Sequence, residues 1–467
     1  MKKKTLFDFV YREMVNQIEG GRIRRGEMLP SAGKLSAFYG VGLRTVRDVL
    51  DALRERGYIR TQARRRAVVV YCGGGEDTDA LYALRQRRSS VADGYGTLAL
   101  IMPPLAAFSA GLIAGEEAET LENTLDMEEK DWRGHIVFFE RLLSRVANPL
   151  ISDLVSSLEL YAHVPVLPGC PNPYARAARI NEENIAALSD ALHRQDLDGV
   201  YRHVEQIYRV IGRSVDEYLC SLPGEAREAQ EAPPWMWEAR KRQMYLYEEV
   251  GQDLLRGIRE GIYTDGSFLP GSMTLSKKYG VSLFTVQQAL GWLRSFGLAR
   301  TFDGKGTQIT LSGAHLADAG RRDALLYIYA LQLLQVLLPE TARQACGGIE
   351  EEEIQHAEEK LHSGGAISVL LELLIPHLPF APLRRIFEQI QYLLPEGMVL
   401  FCVSSGEREK RLKELRRGCI YALEALRKGD CAGFSGALMG SCRMLLREVK
   451  RTLLEANVYE AGFVMEV

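Results

Sequence analysis

The chain has 467 residues, of which 46% are hydrophobic and 25% are charged, and its formal net charge is −3. This length is too great for one small core, and the composition excludes a largely disordered chain, so several globular domains are expected. The charge is unevenly distributed, with 16 Lys and Arg against 7 Asp and Glu in residues 1–72 and 10 against 7 in residues 236–312. Two basic segments in an otherwise acidic chain indicate surfaces that face nucleic acid.

The first 72 residues carry the signals of a winged helix-turn-helix. Ser31 is placed to cap a helix, and Gly40 suits the tight turn after it, because glycine accepts a positive φ. Gly57 then ends the next helix. The predicted elements are, in order, a helix over 6–19, a helix over roughly 32–39, a helix over about 43–56 and two wing strands over 58–62 and 67–71.

The same signals recur 240 residues later. VGLRTVRDVLDALRERGYIR (41–60) matches VSLFTVQQALGWLRSFGLAR (281–300), and residues 25–41 match residues 265–281 at the same offset. Roughly 140 residues with Leu and Ala at helical spacing follow each copy, which predicts helical bundles. The chain is therefore predicted to be mainly α, with two winged helix-turn-helix domains each followed by an all-helical bundle domain. The predicted boundaries are 1–72, 78–222, a linker over 223–235, 236–312 and 315–467.

Neither a membrane span nor an export signal is expected. Three lysines after Met1 are not followed by a sustained apolar segment. The longest apolar run, residues 325–338, contains two glutamines and stops at Pro339, so it predicts a buried helix. The eight cysteines form no CxxC pair, which favours reduced thiols over disulfides or metal ligands. A cytoplasmic protein without a membrane partner is predicted.

Both modules resemble the N-terminal domain of the GntR family of bacterial transcription regulators. The resemblance rests on GGRIRRGEMLPSAGKLSAFYGVGLRTVRDVLDALRERGYI in the first copy and REGIYTDGSFLPGSMTLSKKYGVSLFTVQQALGWLRSFGLARTFDGKGTQITL in the second. The helical parts are similar to the effector-binding domain of the FadR-like subgroup, notably over residues 138–158, 191–211, 338–361 and 425–445. The family implies a dimeric repressor or activator that binds a double-stranded DNA operator and senses a small carboxylic acid or acyl effector.

The resemblance places DNA contacts at the wing of each copy and at the start of its recognition helix, which is the helix over about 43–56 in the first copy. Arginine at that helix start can pair with guanine. In the first copy the candidates are Lys34, Arg44, Thr45, Arg47 and the wing residues Arg64, Arg65 and Arg66. The second copy has Phe284 in place of an arginine, and its candidates are Lys277, Ser282, Thr285, Gln287, Gly304, Lys305, Gly306 and Thr307. Two readings stay open: the second copy binds a weaker or different half-site, or it has lost DNA binding.

Many FadR-like effector domains hold a metal ion through an Asp and three His. The corresponding positions here hold or lie near His135, Phe139, Ile185 and Ile207 in the first copy, and Ser368, Glu372, Cys419 and Ser441 in the second. We therefore predict no metal and no cofactor, although His203 or His377 would face a pocket if the alignment slips by a turn. The candidate polar contacts for a metal-free effector site are Tyr161, His163, Arg202, Tyr392 and Arg416.

Two architectures and two functions fit the duplication. The chain is either a pseudo-dimer with two reading heads or a subunit of a homodimer with four. It is either a sequence-specific regulator or a regulator-derived interaction module with residual DNA binding. No enzyme is expected, because the sequence has no phosphate loop of the strand–helix type, nucleophile elbow or HExxH helix.

Overall fold

The computed structural model confirms a mainly α chain with two winged helix-turn-helix domains. Contacts divide the chain into two compact units, unit 1 (Met1–Arg145, Ser152–Gln243 and Phe380–Pro382) and unit 2 (Val146–Ile151, Met244–Pro379 and Leu383–Val467). The structure describes residues 7, 10, 11, 14, 15, 18, 23, 25–39, 42–61, 66–71, 81, 84–113, 121, 132–164, 170–222, 234–239, 246–259, 261–295, 297–310, 318–361, 366–403, 408–455 and 457–466.

The first winged domain is built on one apolar helix face. Val46, Val49 and Leu53 recur at helical spacing and are all fully buried. They share a core with residues from the preceding helix and from the wing. The described elements are the helices Ala32–Tyr39 (α1) and Leu43–Glu55 (α2) and the antiparallel strands Ile59–Arg60 (β1) and Val68–Val69 (β2), with Ile59 opposite Val69.

The helical part of unit 1 centres on two long helices that pack along each other, Arg88–Ala110 (α3) and Leu197–Ser221 (α7). Between them in the sequence lie Trp132–Leu143 (α4), Pro149–Ala162 (α5) and Ala175–His193 (α6). Asp196 caps α7 by accepting a hydrogen bond from the Gly199 N–H at 2.9 Å. Arg88 at the start of α3 forms a two-point ion pair with Asp216, at 2.7 and 2.9 Å, which fastens the two helices together.

Residues 234–239 belong to unit 1, which differs from the predicted linker over 223–235 and domain start at 236. Trp235 and Trp237 are buried, and their rings stack at a centroid distance of 6.2 Å. Their indole N–H groups donate to Ser157 Oγ at 3.2 Å and Asp153 Oδ2 at 3.1 Å. Proline-rich composition indicates a linker, but two tryptophans with satisfied N–H groups favour packing on the bundle instead.

The second winged domain lies in unit 2 and repeats the described helices and strands of the first. Its elements are Leu246–Arg259 (α8), Ser272–Tyr279 (α9), Leu283–Ser295 (α10) and the antiparallel strands Ala299–Phe302 (β3) and Gly306–Ile309 (β4). Gly280 ends α9 with a φ of 64°, the left-handed conformation that glycine accepts without strain. Its counterpart Gly40, predicted to turn the chain in this way, lies outside the described residues.

The helical part of unit 2 comprises Asp318–Ala345 (α11), Glu351–Lys360 (α12), Ala366–Leu374 (α13), Ala381–Val403 (α14), Arg408–Arg427 (α15) and Cys431–Glu455 (α16), with 3-10 turns at Cys346–Gly348, Ile375–His377 and Tyr459–Phe463. The predicted buried helix over 325–338 lies within α11. The run of glutamates at 350–353 starts α12 with a capping box, in which the Glu350 and Glu353 side chains accept backbone hydrogen bonds reciprocally.

Among the described residues, two helices are long and apolar enough to cross a membrane when judged by length and composition, Arg88–Ala110 and Ala324–Gly348. Most residues in the apolar part of each are buried within the protein, as in the central helix of a bundle. The side chains within these helices therefore contribute to the cores of the helical domains.

Candidate nucleic-acid interface

Helix α2 presents a charged face opposite its buried one. Arg44 and Arg47 lie in its first two turns and are exposed, whereas Thr45 is half-buried. Near the other end of the helix, Arg54 pairs with Asp51 at 2.8 Å. The C-terminal arginine is thus engaged along its own helix, while the two N-terminal arginines project from the end that enters a major groove in helix-turn-helix proteins.

The remaining candidates of the first copy are only partly described. Lys34 belongs to α1, but its side chain lies outside the described residues, as do Arg64 and Arg65. Arg66 is exposed and lies two residues before strand β2. Its position beside the wing places a positive charge where winged domains contact the DNA backbone.

The start of helix α10 differs from that of α2. Ser282 Oγ accepts a hydrogen bond from the Thr285 N–H at 3.1 Å and lies 2.8 Å from Thr285 Oγ1. The Ser282 side chain therefore caps the helix through the Thr285 N–H, and the predicted DNA contacts of the two residues stay a prediction. Phe284 is 69% exposed on the first turn, followed by the exposed Gln287 and Gln288.

Two lysines end helix α9. Lys277 is exposed, as predicted for a phosphate contact. Lys278 lies 3.4 Å from Asp253 Oδ2 and 3.1 Å from the Tyr279 hydroxyl, and the latter hydrogen bond is the main cause of its raised pKa. The Tyr279 hydroxyl in turn donates to Asp253 at 2.7 Å. Part of the Lys278 charge is therefore compensated within unit 2, which leaves Lys277 as the stronger candidate.

The second wing is a tight glycine turn. Gly304 and Gly306 have φ values of 75° and 101°, and the exposed Lys305 stands between them. Thr307 is only 5% exposed, and its Oγ1 lies 3.1 Å from Thr301 Oγ1. Thr307 lies at an inward position on strand β4, so its side chain faces the wing, and its predicted contact with DNA stays a prediction.

Sequence reasoning overlooked Arg300 on the second wing. It lies on strand β3 with an exposed side chain whose guanidinium carbon is 5.4 Å from the centre of the Phe302 ring. Alternation along this strand, with Ala299 buried and Arg300 exposed, was the available signal. Arg300 adds a second cation to the wing that carries Lys305.

The effector candidates of the first copy differ in burial and in the residues that they contact. Arg202 is exposed at the start of α7, where it pairs with Asp196 at 3.8 Å and donates to the Asp198 carbonyl at 3.2 Å. Tyr161 lies 6.4 Å from the Trp235 ring, and His163 is buried 5.8 Å from the Tyr174 ring. Arg202 is thus a surface residue with local partners, and its contact with an effector stays a prediction.

In the second copy, Arg416 is exposed on α15 and Tyr392 is half-buried on α14, and their part in an effector site stays a prediction. Several of the positions aligned with the metal ligands hold buried side chains. Phe139 lies 5.5 Å from Tyr208, and Ile207 is buried. In unit 2, burial raises the pKa of the Cys419 thiol to about 12, which disfavours the thiolate a metal would need.

His377 and His203, the two histidines that a shifted alignment would bring to a pocket, lie on different elements. His377 Nε2 lies 3.0 Å from Glu353 Oε1, and His203 is half-buried on α7. The His135 side chain lies outside the described residues. Within the ranges that the structure describes, no three His, Cys, Asp or Glu side chains converge as metal ligands would.

Comparison with known proteins identifies both winged domains. The model of bacterial regulatory proteins of the gntR family matches residues 6–69 and 246–309. The HTH-type transcriptional regulator TreR of Bacillus subtilis is 40% identical over 68 residues, or 15% of this chain and 29% of TreR. The HTH-type transcriptional repressor NanR of Enterobacter is 24% identical over 230 residues, or 44% of this chain and 83% of NanR. A solved structure, Streptococcus agalactiae GntR, aligns at 17% identity with a TM-score of 0.20 and covers 43% of this chain and 99% of its own.

Proposed function

We propose that this chain, whose two winged domains match the gntR family of bacterial regulatory proteins, regulates transcription as a single-chain pseudo-dimer that binds one asymmetric DNA operator through both of these domains. The first winged domain, head 1, supplies most of the affinity. The second, head 2, reads a different half-site. A pair of identical heads suits a palindrome, whereas two fused copies are free to diverge and read unequal sequences.

The observation that carries the proposal is the pair of exposed arginines at the start of helix α2. Arg44 and Arg47 are one turn apart on the solvent face, while Val46 and Val49 hold the opposite face in the core. The guanidinium group pairs with guanine O6 and N7 in the major groove through two hydrogen bonds. The basic excess of residues 1–72 supplies the sequence-independent attraction to phosphate that accompanies such contacts.

The composition of the two units supports pairing within one chain. Unit 1 includes Phe380–Pro382, and unit 2 includes Val146–Ile151. The two segments are equivalent in the duplication, since Asn148-Pro149-Leu150 and Ala381-Pro382-Leu383 lie at matching places at the starts of helices α5 and α14. Such reciprocal membership is what an intramolecular dimer of the two copies predicts.

Each of these two segments makes hydrogen bonds within the unit to which it belongs. In unit 2, Asn148 Nδ2 donates to the Tyr329 carbonyl and to Gln332 Oε1, each at 2.9 Å. In unit 1, the Ala381 N–H donates to Asp93 Oδ2 at 3.4 Å. Asn148 is buried, and a buried amide with satisfied hydrogen bonds specifies one arrangement of its neighbours.

A small carboxylic acid or acyl effector stays a prediction from the family resemblance. The proposal assigns it no contact with Arg202 or Arg416, which are exposed on separate units. Binding to a chromosomal operator takes place in the cytoplasm, so the predicted cytoplasmic location is part of the same proposal.

The decisive experiment is selection of duplexes from a random pool by the purified full chain, followed by salt titration and determination of mass on the selected site. The expected result is two unequal half-sites, one chain per duplex and a steep loss of affinity with salt, about 0.9 in log K per log salt for each neutralised phosphate. A perfect palindrome carrying two chains would contradict the pseudo-dimer. Absence of any enriched sequence, with a flat salt response, would contradict DNA recognition and favour the interaction module.

Two variants of helix α2 test whether the selected sequence depends on base contacts made by head 1. The double variant Arg44→Ala/Arg47→Ala removes both candidate base contacts. Arg54→Ala removes an exposed arginine of the same helix that is already paired with Asp51. Loss of the selected sequence in the double variant, with retention in Arg54→Ala, supports base reading over general attraction between charges.

A further inference from the structure

Head 2 has an apolar side chain where head 1 has its first arginine. Phe284 is 69% exposed, and it occupies the place in α10 that Arg44 occupies in α2. Gln287 and Gln288 follow at three and four residues, so the three side chains share one solvent-facing side of the helix. Head 2 therefore offers an aromatic ring and two amides to a partner, where head 1 offers two guanidinium groups.

Each of these side chains suits a different feature of the base-pair edges in the major groove. Arginine pairs with guanine, glutamine forms two hydrogen bonds with adenine N6 and N7, and phenylalanine contacts the 5-methyl group of thymine. An exposed phenylalanine gains free energy when apolar surface covers it, and the thymine methyl group is the apolar feature of the major groove. Phe284 and the two glutamines thus favour the same base pair.

We propose that head 2 reads A·T base pairs, with Phe284 on a thymine methyl group and Gln287 or Gln288 on adenine, and that this A·T half-site accompanies a guanine-containing half-site read by Arg44 and Arg47. This inference rests on the proposed function, because it names the sequence that the second head recognises. Phe284 is a specificity-determining residue in this arrangement, and the charge-free start of α10 is adapted to different bases.

The surroundings of Phe284 favour DNA over an apolar protein partner. Ser282 caps the helix through the Thr285 N–H, which sets where the first turn begins and where Phe284 points. Lys277 on α9 and Lys305 on the wing are exposed, and Arg300 adds a third cation to the same domain. An exposed apolar side chain in a domain with several exposed cations suits a polyanion that carries methyl groups.

The test uses the full chain and the operator recovered by selection. Each thymine of the operator is replaced in turn by deoxyuracil, which removes the 5-methyl group and leaves base pairing unchanged. The wild-type chain is expected to lose about fourfold in affinity at one thymine of the A·T half-site, the effect of exposing one buried methyl group. Phe284→Ala is expected to bind more weakly and to bind the thymine and deoxyuracil operators equally well.

Arg44→Ala is the matched variant at the equivalent position of head 1. It should keep the deoxyuracil effect in the A·T half-site and lose sensitivity to 7-deazaguanine, which lacks the N7 acceptor, in the other half-site. Both side chains are exposed, so thermal unfolding of the two variants should match the wild type.

Three outcomes would overturn the inference. A second half-site without A·T pairs would contradict it directly. An undiminished deoxyuracil effect in Phe284→Ala would place the methyl contact elsewhere, and a Phe284→Ala affinity equal to that of the wild type would remove the residue from recognition. Failure of the wild-type chain to select any duplex is a distinct result, because it would overturn the proposed function before Phe284 is tested.

Discussion

The two winged domains keep one framework and carry different surfaces. Leu53 and Leu293 are equivalent and fully buried, and so are Val46 and Val286. At their exposed helix starts, by contrast, the two heads differ: Arg44 lies at the start of α2 in head 1, and Phe284 takes the equivalent place in α10 of head 2. Buried positions must fill the same space in both copies, because protein interiors are closely packed. Exposed positions are free to change with the partner that each head contacts.

The two helix starts illustrate the same contrast in the backbone. Ser282 caps α10 through its side chain, whereas the equivalent Gly42 has no side chain to offer and holds extended backbone at φ −63° and ψ 145°. The first N–H groups of a helix need partners from outside it. In head 2 the Ser282 side chain supplies one of these partners, whereas Gly42 cannot do so in head 1.

The largest expected effect tests the shared framework. Leu53→Ala and Leu293→Ala should each lower the free energy of unfolding of their own winged domain by about 2–5 kcal/mol, because each leaves a cavity in a closely packed core. Hydrogen exchange, resolved by peptide, measures this loss separately in the two domains. Leu43→Ala, an exposed position of α2, is the control and should change little. A large loss in one domain alone would show that the two cores are not equivalent.

Binding variants should separate the two heads. Arg44→Ala and Arg47→Ala should each cost about 1–3 kcal/mol of binding free energy on the selected operator if they pair with guanine. Arg54→Ala, on the same helix and paired with Asp51, should bind as the wild type does. Equilibrium titration of labelled duplex measures the three constants. Equal losses for all three variants would indicate general electrostatic attraction instead of base reading.

The capping difference gives a smaller effect. Ser282→Ala should lower the stability of the second winged domain by about 1 kcal/mol, because the Thr285 N–H loses its acceptor. Gly42→Ser should raise the stability of the first by a few tenths of a kcal/mol, since serine can supply the missing cap. Hydrogen exchange in the first turn of each helix measures both changes. A neutral Ser282→Ala would mean that the hydrogen bond contributes no stability.

The smallest effect concerns the second wing. Lys305→Ala should reduce the slope of log K against log salt by about 0.9 if Lys305 neutralises one phosphate, with little change in the preferred sequence. Lys278→Ala should reduce it less, because Lys278 already lies 3.4 Å from Asp253. Titrations across a range of salt concentrations provide the slopes. An unchanged slope in Lys305→Ala would separate the second wing from the DNA.

Local sequence determined the duplication and the architecture of the winged domains. The spacing of Val46, Val49 and Leu53 defines a helix and its buried face, and from that face follows the exposure of Arg44 and Arg47. Helical periodicity is a short-range property, so it can be read without knowing the partner of each face. The predicted helix over about 43–56 and the strands near 59 and 68 follow from the same local signals.

Tertiary structure decided which polar side chains were available for function. Thr307 and Ser282 looked equivalent as DNA contacts in the sequence, but one turns into the wing and the other caps a helix. Trp235 and Trp237 lie in a proline-rich stretch, and only the distant Ser157 and Asp153 explain their burial. Hydrogen-bond partners and burial depend on residues far apart in the chain, so the pattern around one residue specifies its helix face but not its partner.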